Sequence, residues 1–413
     1  MKPATMTPYL VSLAAHFAAG GLMGVVFPWL ITHELHQSQA WVGMGQAIAT
    51  LPMMFLILVG GAAADGRDLC AYLSRLQLGT AIVIIAFALS VATGLLSFAL
   101  ATAFMFAISI FSAFIMPARD ALLSHVVPTS LGLGRAVAMA VAATFAGQLI
   151  GTGIGAFASA TGAVPLLCLQ AGLLATAGIL TSRLHVDDAR AFKVGTHKPL
   201  AKWIGATFEG FAVAWNHERL RTIILYLSLG APLFNGWFLV GIPLMARDVY
   251  QGSSIAFSLP MMTFLLGLSA SSFAFSRLPP TDRPGRLLMC LSLNNFLVFT
   301  LVHFNLRFEL FVALMLWWGI TSGVAMALTR GMVQIAAPHA YRARVLSMLQ
   351  FANVAGGPIG ALLFGFLAQW YGILNAVLVV PIAVTILWTS FRFFSGLWNF
   401  RHEEAPSHEA AHA

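Results

Sequence analysis

Fourteen acids and twelve histidines are the groups through which this chain could hold a metal, move protons or hydrolyse a bond, and their spacing argues against most of that chemistry. No acid falls deep inside a hydrophobic run. The nearest, Glu34, Asp65, Asp120 and Glu309, stand at run ends. A charge at mid-membrane costs roughly 2.5 to 3.5 kcal/mol or more, so an acid there would have marked a functional site. His33, Glu34 and His36 cluster without a fourth ligand, and Cys70, Cys168 and Cys290 lie too far apart for a disulfide framework or a metal spacing. None of the four lysines follows a glycine, which removes the Gly-Lys of a phosphate-binding loop. No soluble domain to hydrolyse ATP is expected. The expectation is a chain that is not an enzyme and uses no cofactor or resident metal.

The elements that must position the remaining polar groups are hydrophobic runs. The chain has 413 residues, 59% hydrophobic and 9% charged, too little polar surface to cover a soluble fold. Twelve runs lie near 8–33, 41–63, 72–96, 98–117, 132–158, 162–182, 222–246, 255–276, 286–303, 308–329, 343–368 and 373–396. About 20 apolar residues cover the ~30 Å hydrocarbon core, so each run reads as a membrane-spanning helix. The first run is too long for a signal-peptide core and is expected to remain as an uncleaved helix. One polar interruption, 183–221, holds 11 of the 36 charged residues. It divides the chain into an N-terminal six-helix bundle over 1–182 and a C-terminal one over 222–396, with a tail over 397–413. Within the interruption, Leu200, Ile204, Phe208, Phe211 and Trp215 recur at helical spacing, as in an amphipathic helix lying on the membrane surface. The tail carries His402, His408 and His412 among acids and is expected to be disordered.

The net charge of +8 does not point to nucleic acid. With both termini inside, 20 of the 22 Lys and Arg residues fall on the cytoplasmic side and only Arg247 and Arg307 on the other, which is the positive-inside asymmetry. The bilayer is then the expected macromolecular surroundings of a monomer.

Local patterns refine the runs. In the first, His16, Gly20, Met23 or Gly24, and Phe27 share one helical face, small and partly polar, suited to a bundle interior. His16 either hydrogen-bonds a neighbouring helix or lines a cavity. The fifth run (Thr144, Gly147, Gln148, Gly151, Gly153, Gly155) and the eleventh (Asn353, Gly356, Gly357, Pro358, Gly360, Gly365) are dense in glycine, which costs helix stability and is explained by tight helix packing. The seventh offers Asn235, whose amide needs a partner or water in hydrocarbon. The tenth offers Trp317, Trp318, Thr321 and Ser322. Asn294 and Asn295 on the ninth read as packing residues.

Two motifs carry a family resemblance. The second run ends in Gly61-Ala-Ala-Ala-Asp65-Gly66-Arg67-Asp68, with Arg75 beyond, and the fourth in Pro117-Ala-Arg119-Asp120-Ala-Leu-Leu-Ser-His-Val-Val-Pro128. The first resembles the loop signature of the major facilitator superfamily, with its basic tail reduced. The second is similar to the Pro-Ala-Arg-x-Ala-Leu-Leu-x-x-x-Val-Pro signature of the branch containing the enterobactin exporter and related secretion-type exporters. A weaker echo runs from Ala327 through Arg330 to Pro338. Pro128 and Pro338 stand 210 residues apart, and Arg135 and Arg342 stand 207 apart, as two homologous six-helix units require.

The resemblance implies an all-α membrane protein of twelve transmembrane helices in two pseudo-symmetric six-helix bundles. It also implies secondary transport, here export of small amphiphilic molecules by alternating access, from a multi-pass position in a bacterial inner membrane. His16, Gln46, Gln148, Asn235, Gln350 and Asn353 lie on the helices that line the cavity in that family. Proton coupling would need His16 or Asp120; the family's helix-5 antiporter motif lacks its proline here. Gly61, Asp65, Arg67, Arg119, Asp120, Arg330 and Arg344 would form a latch closing the inner side. Two other readings use the same scaffold: a metal-ion efflux carrier relying on the histidine-bearing tail, and a membrane sensor or assembly factor that transports nothing.

Overall fold

A computed structural model describes residues 6–64, 67–127, 133–184, 215–279, 281–336 and 342–400. The interior of the polar interruption, the tail beyond 400 and Asp65 lie outside the described residues, and so does most of the expected amphipathic helix. The tail expected to be disordered from 397 instead begins with an ordered turn, Gly396–Asn399, because Leu397 and Phe400 are buried in the termini-side core of the second half. Among the described residues twelve helices are long and apolar enough to cross a bilayer. They are α1 (Met6–Trp29), α2 (Gln39–Ala64), α3 (Leu69–Ala92), α4 (Phe98–Val126), α5 (Leu133–Gly155), α6 (Ala163–Ser182), α7 (Glu218–Gly236), α8 (Ser254–Phe275), α9 (Pro284–His303), α10 (Phe308–Ala336), α11 (Arg342–Tyr371) and α12 (Val379–Phe394). Hydrocarbon offers backbone groups no water, and a helix satisfies them within the segment.

Helix ends depart from the predicted runs in an informative way. Hydropathy stops at the first charges, whereas α4 continues through Pro117, Arg119 and Asp120 to Val126, and α10 through Arg330 to Ala336. Both motif-bearing segments are therefore helical extensions, because backbone hydrogen bonding does not end where the side chains become polar. Starts are set by capping: Asp68 accepts from the amides of Cys70 and Ala71 at 2.9 and 3.1 Å, Ser97 from Leu100 at 3.2 Å and Ser253 from Ala256 at 3.2 Å.

Packing repeats between the halves. In the first half α1 packs on α5, α2 on α4 and α3 on α6; in the second α7 packs on α11, α8 on α10 and α9 on α12. Each bundle also carries a π-helical turn on its first helix, at Leu30–Glu34 after α1 and at Trp237–Gly241 after α7, starting 207 residues apart. That spacing repeats the one between Arg135 and Arg342. After its π turn α7 resumes as Ile242–Asp248.

The halves meet through α2 against α11 and α5 against α8. Twelve alternating spans put Met6 and Phe394 on one side, the termini side, and the α1–α2 and α7–α8 connections on the opposite, far side. One hydrophobic core crosses both halves on the far side, from Leu22 and Ile31 through Trp237 and Leu244 to Phe364 and Val380. Towards the termini the core divides into two, one around Tyr9, Leu73, Ala118 and Leu122 and the other around Leu220, Ile223, Met289 and Met332. The molecule is sealed on the far side and parted on the termini side.

Candidate functional site

Small residues and polar ends build the seal. Gly43 of α2 faces Gly365 of α11 so closely that a Cβ on either would lie 2.7 Å from the other's Cα, and glycine is what permits that approach. Around this contact Arg247 Nη1 donates to the Gln37 carbonyl at 2.7 Å, and Gln39 Nε2 to Asp248 Oδ2 at 3.2 Å. Arg247 is also ion-paired with Asp248. On the other seam Ser254 donates to the Ala156 carbonyl, and Ser159 donates its amide to Ser254 Oγ at 3.1 Å. Beside the seal, Tyr250 donates to the Leu306 carbonyl at 2.9 Å, and burial pushes its hydroxyl from 10.0 up to about 12.

On the termini side of the seal lie two cavities. The smaller, about 250 Å³, belongs mainly to the N-terminal half and is lined by His16, Gly20, Met23, Gly24 and Phe27 of α1, Gln46 of α2, Thr80 of α3, Ser112 of α4 and Gln170 of α6. The α1 stripe expected to face the bundle interior thus forms one wall. His16 Nδ1 and Gln170 Oε1 are buried there without a hydrogen-bond partner among the described residues. The larger cavity, about 410 Å³, sits in the C-terminal half with one contribution from across the interface, Gln148 of α5. Asn235 of α7, with Gln350 and Asn353 of α11, supplies amides to it. Asn235 Nδ2 donates to the backbone and side-chain oxygens of Asn353 at 2.9 and 3.1 Å, tying α7 to α11 at the cavity wall. Its apolar wall is aromatic: the ring centroids of Phe264 and Trp318 are 4.2 Å apart, and Phe234 lies 6.3 Å from Trp318. Phe238, within the π-helical turn of α7, lines both cavities, and such turns recur at functional sites.

The six cavity candidates therefore fall on two facing hollows, His16 and Gln46 in one and Gln148, Asn235, Gln350 and Asn353 in the other. Sequence reasoning missed two. Asn295 lines the larger cavity with its Oδ1 unpartnered among the described residues, whereas Asn294 packs, accepting from Trp317 Nε1 at 2.7 Å. Consecutive helical residues point about 100° apart, so both cannot share one role. Gln170 was the other omission, and its position as an amide in an otherwise apolar run was the available signal.

The latch candidates are less assembled. Asp65 is outside the described residues, Gly61 stands in the last turn of α2 and Arg344 in the first of α11. Arg67 lies over the Tyr72 ring at 5.0 Å. Arg119 pairs with its neighbour Asp120 at 2.9 Å and lies over Phe17 at 4.7 Å. Arg330 is exposed on the rim of the larger cavity. With the termini side parted, no described contact joins Asp120 to Arg67 or Arg330. Among the described residues no group of three or more His, Cys, Asp or Glu side chains converges as a metal site would.

Comparison with known proteins adds three findings. The sequence profile of the Major Facilitator Superfamily matches residues 9–361. The chain is 25% identical over 394 residues to the multidrug efflux pump Tap of Mycolicibacterium fortuitum, covering 92% of this chain and 94% of that protein. Its backbone is similar to that of the nucleoside transporter NupG, with a TM-score of 0.74 at 14% identity over 96% of this chain and 99% of that one. It is also similar to a bacterial homologue of the human lysosomal transporter Spinster in an inward-facing, unoccupied conformation, with a TM-score of 0.73 at 14% identity over 98% and 100% of the two chains.

Proposed function

The chain belongs to the Major Facilitator Superfamily and is a multi-pass membrane transporter rather than an enzyme, and from that premise we propose that it exports small amphiphilic, drug- or siderophore-like molecules by alternating access. The observation that carries this reading is the pair of cavities beneath a single seal. A pocket that joins an aromatic wall to neutral amides suits a ligand with an apolar body and a few hydrogen-bonding groups. The likeness to a multidrug efflux pump supports the outward direction.

The termini and the 183–221 linker face the cytoplasm in this reading, as the 20 to 2 distribution of basic residues favours. The structure then presents its cavities inward, and cargo enters from the cytoplasm or its leaflet of a bacterial inner membrane. Rocking of the 1–182 and 222–396 bundles about the α2–α11 and α5–α8 seams breaks the seal and closes the other side. There Asp65 and Asp120 engage the basic residues Arg67, Arg119, Arg330 and Arg344, with Gly61 allowing the close approach.

Accumulation of a panel of fluorescent neutral, anionic and cationic amphiphiles tests the proposal. Cells expressing the chain should hold less of at least one of them than control cells. Replacing Asn235 and Gln148 together by alanine should slow that efflux about tenfold, the effect of losing about 1.4 kcal/mol of binding. Greater accumulation in expressing cells would make the protein an importer. Unaltered kinetics in the double variant would remove the amides from the site.

A further inference from the structure

We infer that the larger cavity is built for an aromatic amphiphile carrying an anionic group, with the anion against Arg330 and the rings among Phe234, Phe264 and Trp318. The inference rests on the cavity being the cargo site and adds the sign of the cargo's charge. Among the described residues that line either cavity, Arg330 is the one that carries a permanent charge, and none is a carboxylate. Among the described residues Arg330 has neither an ion pair nor a hydrogen bond, and the carboxylate of Asp120 is paired with Arg119. A guanidinium left in this condition at the edge of an apolar pocket offers up to five donors in a planar fork, matched to the two oxygens of a carboxylate or sulfonate.

A second, independent feature points the same way. Thr329, next to Arg330 on α10, lines the cavity and is 4% exposed, and its hydroxyl has no hydrogen-bond partner among the described residues. A buried hydroxyl without a partner is unfavourable unless a bound group supplies one. Together the two residues give the cavity one charged and one neutral donor beside the aromatic wall. A cationic drug would meet the reverse: aromatic faces that attract it, but no acid to compensate its charge and one arginine that repels it. An anionic cargo also explains how export can proceed with no carboxylate among the described lining residues to carry a coupled proton. A membrane potential negative inside drives an anion outward by itself.

The test uses the full chain in lipid nanodiscs, with empty discs subtracted. Three probes are titrated: anilinonaphthalene sulfonate, its uncharged analogue N-phenylnaphthylamine, and ethidium. The sulfonate should bind more tightly than the uncharged analogue. Arg330→Gln should lower the ratio of the two affinities about tenfold, whereas Arg330→Lys, which keeps the charge, should hold it within about threefold. Trp318→Ala should weaken both naphthalene probes, which reports that they occupy this cavity. If it does so while Arg330→Gln leaves the ratio unchanged, or if ethidium outcompetes the sulfonate, the inference is overturned and the cavity reading stands. If Trp318→Ala alters neither probe, the rings are not seated there and both readings fall. Tight binding of the uncharged probe by Arg330→Gln shows that the variant is folded.

Discussion

The two sides of this membrane protein are built by different rules. On the far side the halves share one core and are joined by glycine-on-glycine contact, a charged hydrogen bond from Arg247 and a serine pair between the α5–α6 connection and α8. On the termini side the same helices carry most of the charge, each half keeps its own core, and the described ion pair, Arg119 with Asp120, lies within one helix. The difference shows where a rocking transporter can store its bias. Contacts on the far side hold the observed state, whereas charges on the other side are free to act once it closes.

The largest way to break the comparison is Gly43→Leu. A side chain there collides with α11 only while the far side is shut, and overpacking of this kind costs about 1 to 3 kcal/mol. The sealed state should lose population by roughly tenfold or more. Spin labels at Ser38→Cys and Tyr371→Cys should report a longer far-side distance, and an unchanged distribution would show that α2 and α11 do not form the seal in the membrane.

Arg247→Gln should act in the same direction with a smaller effect. It removes a charged donor from the Gln37 carbonyl, an interaction worth about 1.5 to 3 kcal/mol when buried and less at this partly exposed site. Transport slowed without any change in the label distances would place Arg247 outside the seal.

Asp120→Asn sharpens the contrast. Its side chain is 63% exposed, so thermal stability in the observed state should change by less than about 0.5 kcal/mol. Labels on the termini-side ends of α4 and α10 should nevertheless spread further apart on average, because the closed form loses a latch contact. Asp65→Asn should do the same. If neither variant moves that distribution or the transport rate, the two acids are solvated surface charges only.

The smallest effect is one of pH. The Tyr250 hydroxyl titrates near 10.0 when unfolded and about 12 beside the seal. The folded form therefore keeps its proton while the unfolded form loses it, and the stability this contributes is present below pH 10 and lost as pH rises toward 12. A melting curve flat from about pH 6 to 9 that declines above 10, with the decline lessened in Tyr250→Phe, is expected. An equal decline in Tyr250→Phe would assign the loss to other groups.

Much of the cavity was legible because periodicity alone aligns residues on one helix. His16, Gly20, Met23, Gly24 and Phe27 share a face at any tertiary arrangement, and that face lines the smaller cavity. The amides of Gln148, Asn235, Gln350 and Asn353 were conspicuous because hydrocarbon penalises an unpartnered polar group. Asn294 and Asn295 show the limit. Identical side chains one residue apart differ in role, since helix rotation relative to its neighbours sends one to Trp317 and the other to the cavity.

The seal was not legible in the same way. Arg247 stood out in the sequence only as one of two basic residues on the wrong side, and Ser159 and Ser254 had no feature to distinguish them. Hydropathy and the 207- and 210-residue spacings suffice to indicate twelve helices and a repeat between two halves, because each depends on local composition or on the order of the chain. Which side is shut, which amide faces a cavity and which arginine meets no described partner depend on contacts between residues distant in the chain, from 23 positions for Asn294 and Trp317 to 210 for Gln37 and Arg247. Those contacts differ between conformations of one sequence, so only the folded arrangement decides them.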